Sequence, residues 1–74
     1  MTLGHINDIA AFVAAAETGS FVAAARVRAM TRSGIAKSVS RLENRLGVRL
    51  FNRTTRSLRL TDSGSAFFER YSEI

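Results

Sequence analysis

The chain has 74 residues, enough for one small domain, and it lacks cysteine, which excludes disulfides and thiolate–zinc sites. A hydrophobic content of 46% argues against a disordered chain. The net charge of +5 is unevenly distributed: residues 26–59 hold ten of the 11 basic residues and a single acid, so they carry +9, against −4 elsewhere. This asymmetry indicates a polyanionic partner, and the alternative is an arginine-rich surface that is only solvated.

No segment reads convincingly as a targeting or membrane sequence. The apolar run from Ile9 to Ala16 is flanked by Asp8 and Glu17 and is too short to span a bilayer. We therefore expect no membrane association and a cytoplasmic location, with which the absence of cysteine is compatible.

The first half of the chain predicts two helices. One buried helical face is predicted from residues at three-and-four spacing: Ile6, Ile9, Ala10, Phe12, Val13 and Ala16. Gly19 is expected to end this helix and Ser20 to cap the next one at its N-terminus.

The second helix is predicted from about Phe21 to Ala29, with small alanines that let another helix approach closely. Arg28 falls on its apolar stripe, so either its aliphatic stem covers the edge of the core or Val27 takes over the contact. Met30 is predicted to be an apolar plug in the following turn.

Thr31 is the predicted N-cap of a third helix that Gly47 ends. Its apolar stripe consists of Ile35, Val39, Leu42 and Leu46. Its outward polar face consists of Ser33, Lys37, Ser40 and Asn44. Small residues at its start permit close approach to another molecule.

After the third helix the pattern changes to period two, which predicts a β-hairpin formed by "VRLF" and "SLRL". Its inward residues are predicted to be Leu50, Leu58 and Leu60, with Arg49 and Arg59 outward. Thr61 is the predicted N-cap of a fourth helix, on which Phe67, Tyr71 and Ile74 share a face with Phe68 beside it.

Catalysis has little support. The single histidine, His5, and scattered acids do not form a nucleophilic or metal site, and no glycine-rich phosphate loop is present. We predict that the chain is not an enzyme and that it needs no cofactor or metal.

Two short helices joined by a tight turn at residues 29–31 indicate a helix-turn-helix, whose second helix enters the major groove of DNA. The candidates for reading bases are Thr31, Arg32, Ser33, Ala36 and Lys37. The candidates for contacting the DNA backbone are Ser40, Arg41, Asn44 and the hairpin residues Arg53, Thr54 and Arg56. For the hairpin residues, the minor groove is the alternative target. For each of them a merely solvated role is the alternative.

The stretches "FVAAAETGSFVAAAR", "SRLENRLGVRLFNRT" and "LRLTDSG" closely resemble the N-terminal DNA-binding domain of LysR-type transcriptional regulators. The resemblance implies a fold that is mainly α with a small β-hairpin: a winged helix-turn-helix with a three-helix core at residues 1–60. It also implies that residues 61–74 begin a linker helix that pairs with its twin in a homodimer, with Phe67, Phe68 and Tyr71 as dimerisation candidates. The resemblance further implies a protein several times longer that senses a small-molecule effector through another domain, so we expect this chain to be a fragment without that domain.

The recognition helix departs from the usual family pattern Ser-Gln-Pro-Ala-Val-Ser and reads "TRSGIA". The target sequence therefore cannot be transferred from relatives. We predict sequence-specific binding of double-stranded DNA in transcription regulation. The alternatives are a sequence-neutral nucleic-acid binder and a protein-interaction module that uses the aromatic fourth helix.

Overall fold

The computed structural model describes the backbone of residues 3–53 and 58–72, with side chains from residue 6 onward in those ranges. The elements follow in the order α1 (Leu3–Thr18), α2 (Phe21–Arg28), α3 (Arg32–Leu46), β1 (Phe51–Arg53), β2 (Leu58–Leu60) and α4 (Asp62–Tyr71). The two strands are antiparallel, with Phe51 opposite Leu60 and Arg53 opposite Leu58. This architecture, a helical core with a two-stranded wing, confirms the predicted fold class.

The core lies where α1, α2 and α3 cross, and α4 and the wing close one side of it. Phe12 is fully buried at its centre. Its ring lies 5.3 Å from that of Phe51, 5.5 Å from that of Phe67 and 6.5 Å from that of Phe68, measured between centroids. Aromatic pairs at these separations stabilise a core beyond the area that they bury, so the wing and α4 are fastened to α1 by one cluster of rings.

The predicted helix boundaries rest on the expected caps. The side-chain oxygens of Ser20, Thr31 and Thr61 accept hydrogen bonds from backbone N–H groups three residues later, at 3.1, 2.9 and 2.9 Å. Gly19 and Gly47 both have φ of +72°, the left-handed conformation that ends a helix. These caps confirm the predicted starts of α2, α3 and α4.

The end of α2 differs from the prediction. The helix ends at Arg28, because Ala29 adopts the left-handed conformation with φ of +54°. The N–H groups of Ala29 and Met30 then donate to the carbonyls of Arg26 and Ala25 at 3.3 and 2.8 Å. This pattern is a Schellman motif with alanine at the position that glycine usually occupies.

Three residues predicted to be buried are exposed instead. Ile6 is 61% exposed in the first turn of α1, and Leu46 is 43% exposed at the end of α3, next to the turn at Gly47. Met30 is 38% exposed, so it covers the turn from outside and does not plug it. Val27 is exposed and does not take over the core contact; Val27 and Arg28 both lie, with Ile6 and Tyr71, along a groove between α1, α2 and the end of α4.

The wing begins later than the alternating pattern predicts. Strand β1 starts at Phe51, and both Leu50 and Phe51 are buried, although period two would place neighbours on opposite sides. The inward positions of Leu50, Leu58 and Leu60 and the exposure of Arg49 and Arg59 are confirmed. Within the described ranges, no helix combines the length and the hydropathy that a membrane span requires.

Candidate nucleic-acid interface

The start of α3 is open to solvent while the rest of its inner face is seated on the core. Ile35 and Val39 are fully buried, whereas Arg32, Ser33 and Lys37 are exposed and Ala36 is half-buried. The hydroxyl of Thr31 is occupied as an acceptor by the N–H of Gly34, which leaves its O–H free to donate. A helix end with small side chains and two long cations is the shape that enters a major groove about 12 Å wide.

Charge separates the arginines and the lysine of α3 into two groups. Within the described ranges, Arg32 and Lys37 have no carboxylate within 4.0 Å, whereas Arg41 and Arg45 both pair with Asp8 of α1. The unpaired cations therefore lie at the N-terminal half of the helix, where base readout is expected, and the paired ones lie at the C-terminal half.

Asp8 is 1% exposed and binds two cations at once. Arg41 Nη2 donates to Oδ1 at 3.0 Å and Arg45 Nη2 donates to Oδ2 at 2.8 Å. Burial by itself raises the pKa of Asp8, but hydrogen bonds from Arg41 and Arg45 and the charge of Arg41 outweigh it, so the pKa of Asp8 lies below its ordinary value. Asp8 therefore holds Arg41 and Arg45 in place on α3, and the three side chains together carry a net charge of +1.

The guanidinium of Arg41 stays accessible to solvent despite this pairing. Its side chain is 58% exposed, so the guanidinium is oriented by Asp8 on one edge and open to solvent elsewhere. Ser40 is half-buried and Asn44 is exposed on the same helix. The roles of these three residues as phosphate contacts stay predictions.

Glu43 of α3 is the second buried carboxylate, at 5% exposure. Its Oε2 accepts hydrogen bonds from the backbone N–H groups of Leu50 and Phe51 at 2.8 and 3.3 Å. Its Oε1 accepts from Arg53 Nη2 at 3.0 Å, and Arg49 Nη1 lies 3.6 Å away. The carboxylate therefore joins the recognition helix to the first strand of the wing.

Arg53 was predicted to contact the DNA backbone from the hairpin, and the structure places its guanidinium against Glu43 and over the ring of Phe21, 5.6 Å from the centroid. The other two hairpin candidates, Thr54 and Arg56, lie outside the described residues. Among the wing residues that the structure describes, Arg59 on β2 has an exposed cation with no described carboxylate within 4.0 Å.

The aromatic side chains of α4, predicted to serve dimerisation, pack within the domain. Phe67 and Phe68 are half-buried against Phe12, and Tyr71 lies on Phe67 with 4.5 Å between ring centroids. Their contact with a second copy of the chain stays a prediction. No group of three potential metal ligands occurs in the part of the chain that the structure describes.

Sequence reasoning missed Asp8 and Glu43 as organising residues. A usable signal existed for Glu43: it is the only acid in the basic segment and adjoins Leu42 on the buried stripe of α3. The signal for Asp8 was weaker, because an acid ahead of an apolar run is equally typical of a solvated position at the edge of a helix.

Comparison with known proteins agrees with this geometry. The family model described as "Bacterial regulatory helix-turn-helix protein, lysR family" matches residues 6–65. The probable HTH-type transcriptional regulator LtrA of Klebsiella pneumoniae is 42% identical over all of this chain and 24% of its own length. The HTH-type transcriptional regulator CrgA of Neisseria meningitidis is 46% identical over 92% of this chain and 23% of its own length.

Solved structures show the same fold. The crystal structure of a CbnR_DBD–DNA complex matches with a TM-score of 0.85 and 34% identity, covering 90% of this chain and 77% of that one. The crystal structure of a BenM_DBD/benA site 1 DNA complex matches with a TM-score of 0.86 and 27% identity, covering 90% and 75%. The chain spans less than a quarter of the length of the curated regulators named above. From the matched residues 6–65 and the shared fold, the chain belongs to the LysR family of bacterial helix-turn-helix regulatory proteins.

Proposed function

We propose that this chain binds double-stranded DNA sequence-specifically as the DNA-binding domain of a LysR-type transcriptional regulator. The observation that carries the proposal is the open start of α3, where Arg32 and Lys37 project without a carboxylate partner among the described residues. Arginine and lysine donate to guanine O6 and N7, and small neighbours permit the backbone to approach the groove. Relatives of the same fold that were crystallised with DNA support the proposal.

In this proposal α3 lies in the major groove, and its first residues Thr31, Arg32, Ser33, Ala36 and Lys37 read base edges. The phosphate contacts come from the C-terminal half of α3 and from the wing, with Ser40, Arg41, Asn44, Thr54 and Arg56 as candidates. Cationic contacts set the affinity, and base-edge contacts set the choice of sequence.

The proposal extends to the protein of which such a domain forms part. Two copies pair through the helix that starts with α4, and the dimer presents two recognition helices to half-sites about one helical turn apart. A small-molecule effector acts through a separate domain, and the DNA-binding domain itself needs no cofactor and catalyses no reaction. The location is cytoplasmic, and no membrane takes part.

The test is selection of bound sequences from a random duplex pool, followed by titration of a selected duplex and a scrambled one at several salt concentrations. We expect the selected duplex to bind more tightly, and the logarithm of the association constant to fall by about 0.9 per phosphate contact for each decade of salt. Equal affinity for all duplexes and for RNA would indicate a sequence-neutral binder. The absence of any retarded DNA band at low salt would indicate a protein-interaction module.

A further inference from the structure

The carboxylate of Glu43 lies between the recognition helix and the wing and bonds to both sides of the junction. Glu43 lies in the last part of α3. Its Oε2 accepts hydrogen bonds from the N–H groups of Leu50 and Phe51, where the chain enters β1. The pairing with Arg53 Nη2 at 3.0 Å adds the far end of the same strand. One side chain of α3 therefore holds both ends of the strand that leads to residues 54–57.

This contact resists rearrangement because the charge is buried. Glu43 is 5% exposed, and a buried carboxylate is tolerated only while hydrogen bonds and cations compensate for its lost hydration. Within the described residues, every buried side-chain polar atom has a hydrogen-bond partner. If the wing rotated relative to α3, the carboxylate would lose the donors that its burial requires, so Glu43 opposes this rotation in addition to the ring cluster around Phe12.

Arg53 has its polar and aromatic contacts within the domain. Its side chain is 31% exposed, its guanidinium donates to Glu43, and its Cζ lies over the ring of Phe21, the first residue of α2, 5.6 Å from the centroid. Arg49, which also neighbours Glu43, is 67% exposed and lies farther away at 3.6 Å. Arg53 thus connects the wing to both helices of the helix-turn-helix, a placement that suits a residue that positions the wing.

We infer that Glu43 is a positioning residue that sets the wing on the recognition helix, and that Arg53 acts through Glu43 and not on a DNA phosphate. The inference rests on the proposed function, because it assigns these residues a part in DNA binding without contact to DNA. It replaces the predicted role of Arg53 as a backbone contact.

The sign of one substitution tests the inference. Glu43→Gln removes a negative charge close to the basic face, so electrostatics alone predicts tighter binding of the selected duplex. Loss of positioning predicts roughly tenfold weaker binding instead, within the range of coupled contacts. Glu69→Gln is the matched control, because it makes the same chemical change on the exposed surface of α4, and it should alter affinity by about twofold or less.

A double-mutant cycle distinguishes a positioning role of Arg53 from a direct contact of Arg53 with a DNA phosphate. If Arg53 acts through Glu43, adding Arg53→Gln to Glu43→Gln causes little further loss, since both changes break the same contact. If Arg53 contacts a phosphate independently, the two losses multiply. All affinities are measured at a temperature where circular dichroism shows each variant to be folded. A variant that melts earlier but binds as tightly as the wild type would indicate a merely structural role and overturn the inference.

A measurement without DNA keeps the inference testable apart from the proposed function. The chain has no cysteine, so spin labels can be placed on cysteines introduced at Lys37 of α3 and Arg59 of β2. We expect Glu43→Gln to broaden the distribution of distances between the labels, and Glu69→Gln to leave it unchanged. If Glu43→Gln fails to fold, Arg53→Gln is used, with the same expectation.

The outcomes of the two measurements are distinct. A wild-type protein without sequence-dependent DNA binding refutes the proposed function, whereas the label distances still report on Glu43. An unchanged distance distribution, or tighter binding by the Glu43→Gln variant, refutes the positioning role even if the wild type binds DNA specifically.

Discussion

Replacing Gly64 by alanine should destabilise the domain, whereas the same replacement at Gly34 should be close to neutral. The two glycines occupy equivalent local positions: each is the third residue after a threonine N-cap, in "TDSG" and "TRSG", and each donates its N–H to that threonine at 2.9 Å. Alanine is intrinsically favoured over glycine in a helix by about 1 kcal/mol, so local propensity predicts stabilisation at both sites. The surroundings of the two sites differ.

A Cβ at Gly64 would overlap the carbonyl oxygen of Leu50 and lie 2.9 Å from its carbonyl carbon. Neither atom can move without displacing α4 from the wing, which would weaken the 3.0 Å hydrogen bond from Thr61 N to Leu50 O. Overpacking of this kind costs about 1–3 kcal/mol, and a lost hydrogen bond adds about 1 kcal/mol. After the gain in helix propensity, we expect a net loss of roughly 2 kcal/mol in the free energy of unfolding.

A Cβ at Gly34 would meet only side-chain atoms: Thr31 Oγ1 at 3.1 Å and Met30 Cε at 3.3 Å. The exposed methionine can move aside, so we expect a change within about 1 kcal/mol. Urea denaturation followed by circular dichroism measures both variants, and the Gly64 variant should also melt roughly 8–16 °C lower. A Gly64→Ala protein as stable as the wild type would refute the close approach of α4 to Leu50.

Three further predictions follow from the ends and charges of the helices. Ala29→Gly should raise the free energy of unfolding by about 1 kcal/mol, because it relieves the strain of an L-residue in the left-handed conformation. As the control, Ala23→Gly inside α2 should lower the free energy of unfolding by about 1 kcal/mol. An Ala29→Gly protein less stable than the wild type would contradict this reasoning. Because the pKa of Asp8 is lowered on folding, its stabilisation is complete above its ordinary pKa of 3.8 and is lost as the pH falls through the lower folded pKa. The stability difference between wild type and Asp8→Asn should therefore be constant from neutral pH to about pH 5 and shrink below pH 4, and a difference that grows in acid would reverse the assignment. Lys37→Ala should cost about 1–3 kcal/mol of DNA-binding free energy and relax the preference at one base pair, as read from repeated selection; an equal loss on every sequence would make Lys37 a phosphate contact.

The caps and the alternation of apolar stripes were readable from the sequence because they depend on neighbours within a few residues. Ser20, Thr31 and Thr61 cap the helices that their local sequence predicts, and Gly47 ends α3 as expected. Ala29 was not predictable in this way, because the hydrogen bonds of the turn force a left-handed conformation that alanine does not prefer.

The ion pairs of the charged residues could not be predicted from neighbouring positions in the sequence. The sequence reveals a strongly basic segment, but not that Asp8 holds Arg41 and Arg45, since these residues are separated by 33 and 37 positions. Only the packing of α1 on α3 brings them together, and this packing leaves Arg32 and Lys37 as the cations of α3 without a partner in the described ranges.

Local sequence patterns are sufficient to predict the order of the elements, the seating of α3 through Ile35 and Val39, and the helix-turn-helix with its basic outer face. These features follow from the spacing of apolar residues and from cap residues, which act over one or two helical turns. Which cations are neutralised and how the wing is set on α3 depend on long-range packing, because the buried carboxylates of Asp8 and Glu43 pair with the cations that lie near them in space. A buried carboxylate must find donors wherever the fold provides them, and their distance along the chain does not enter that requirement.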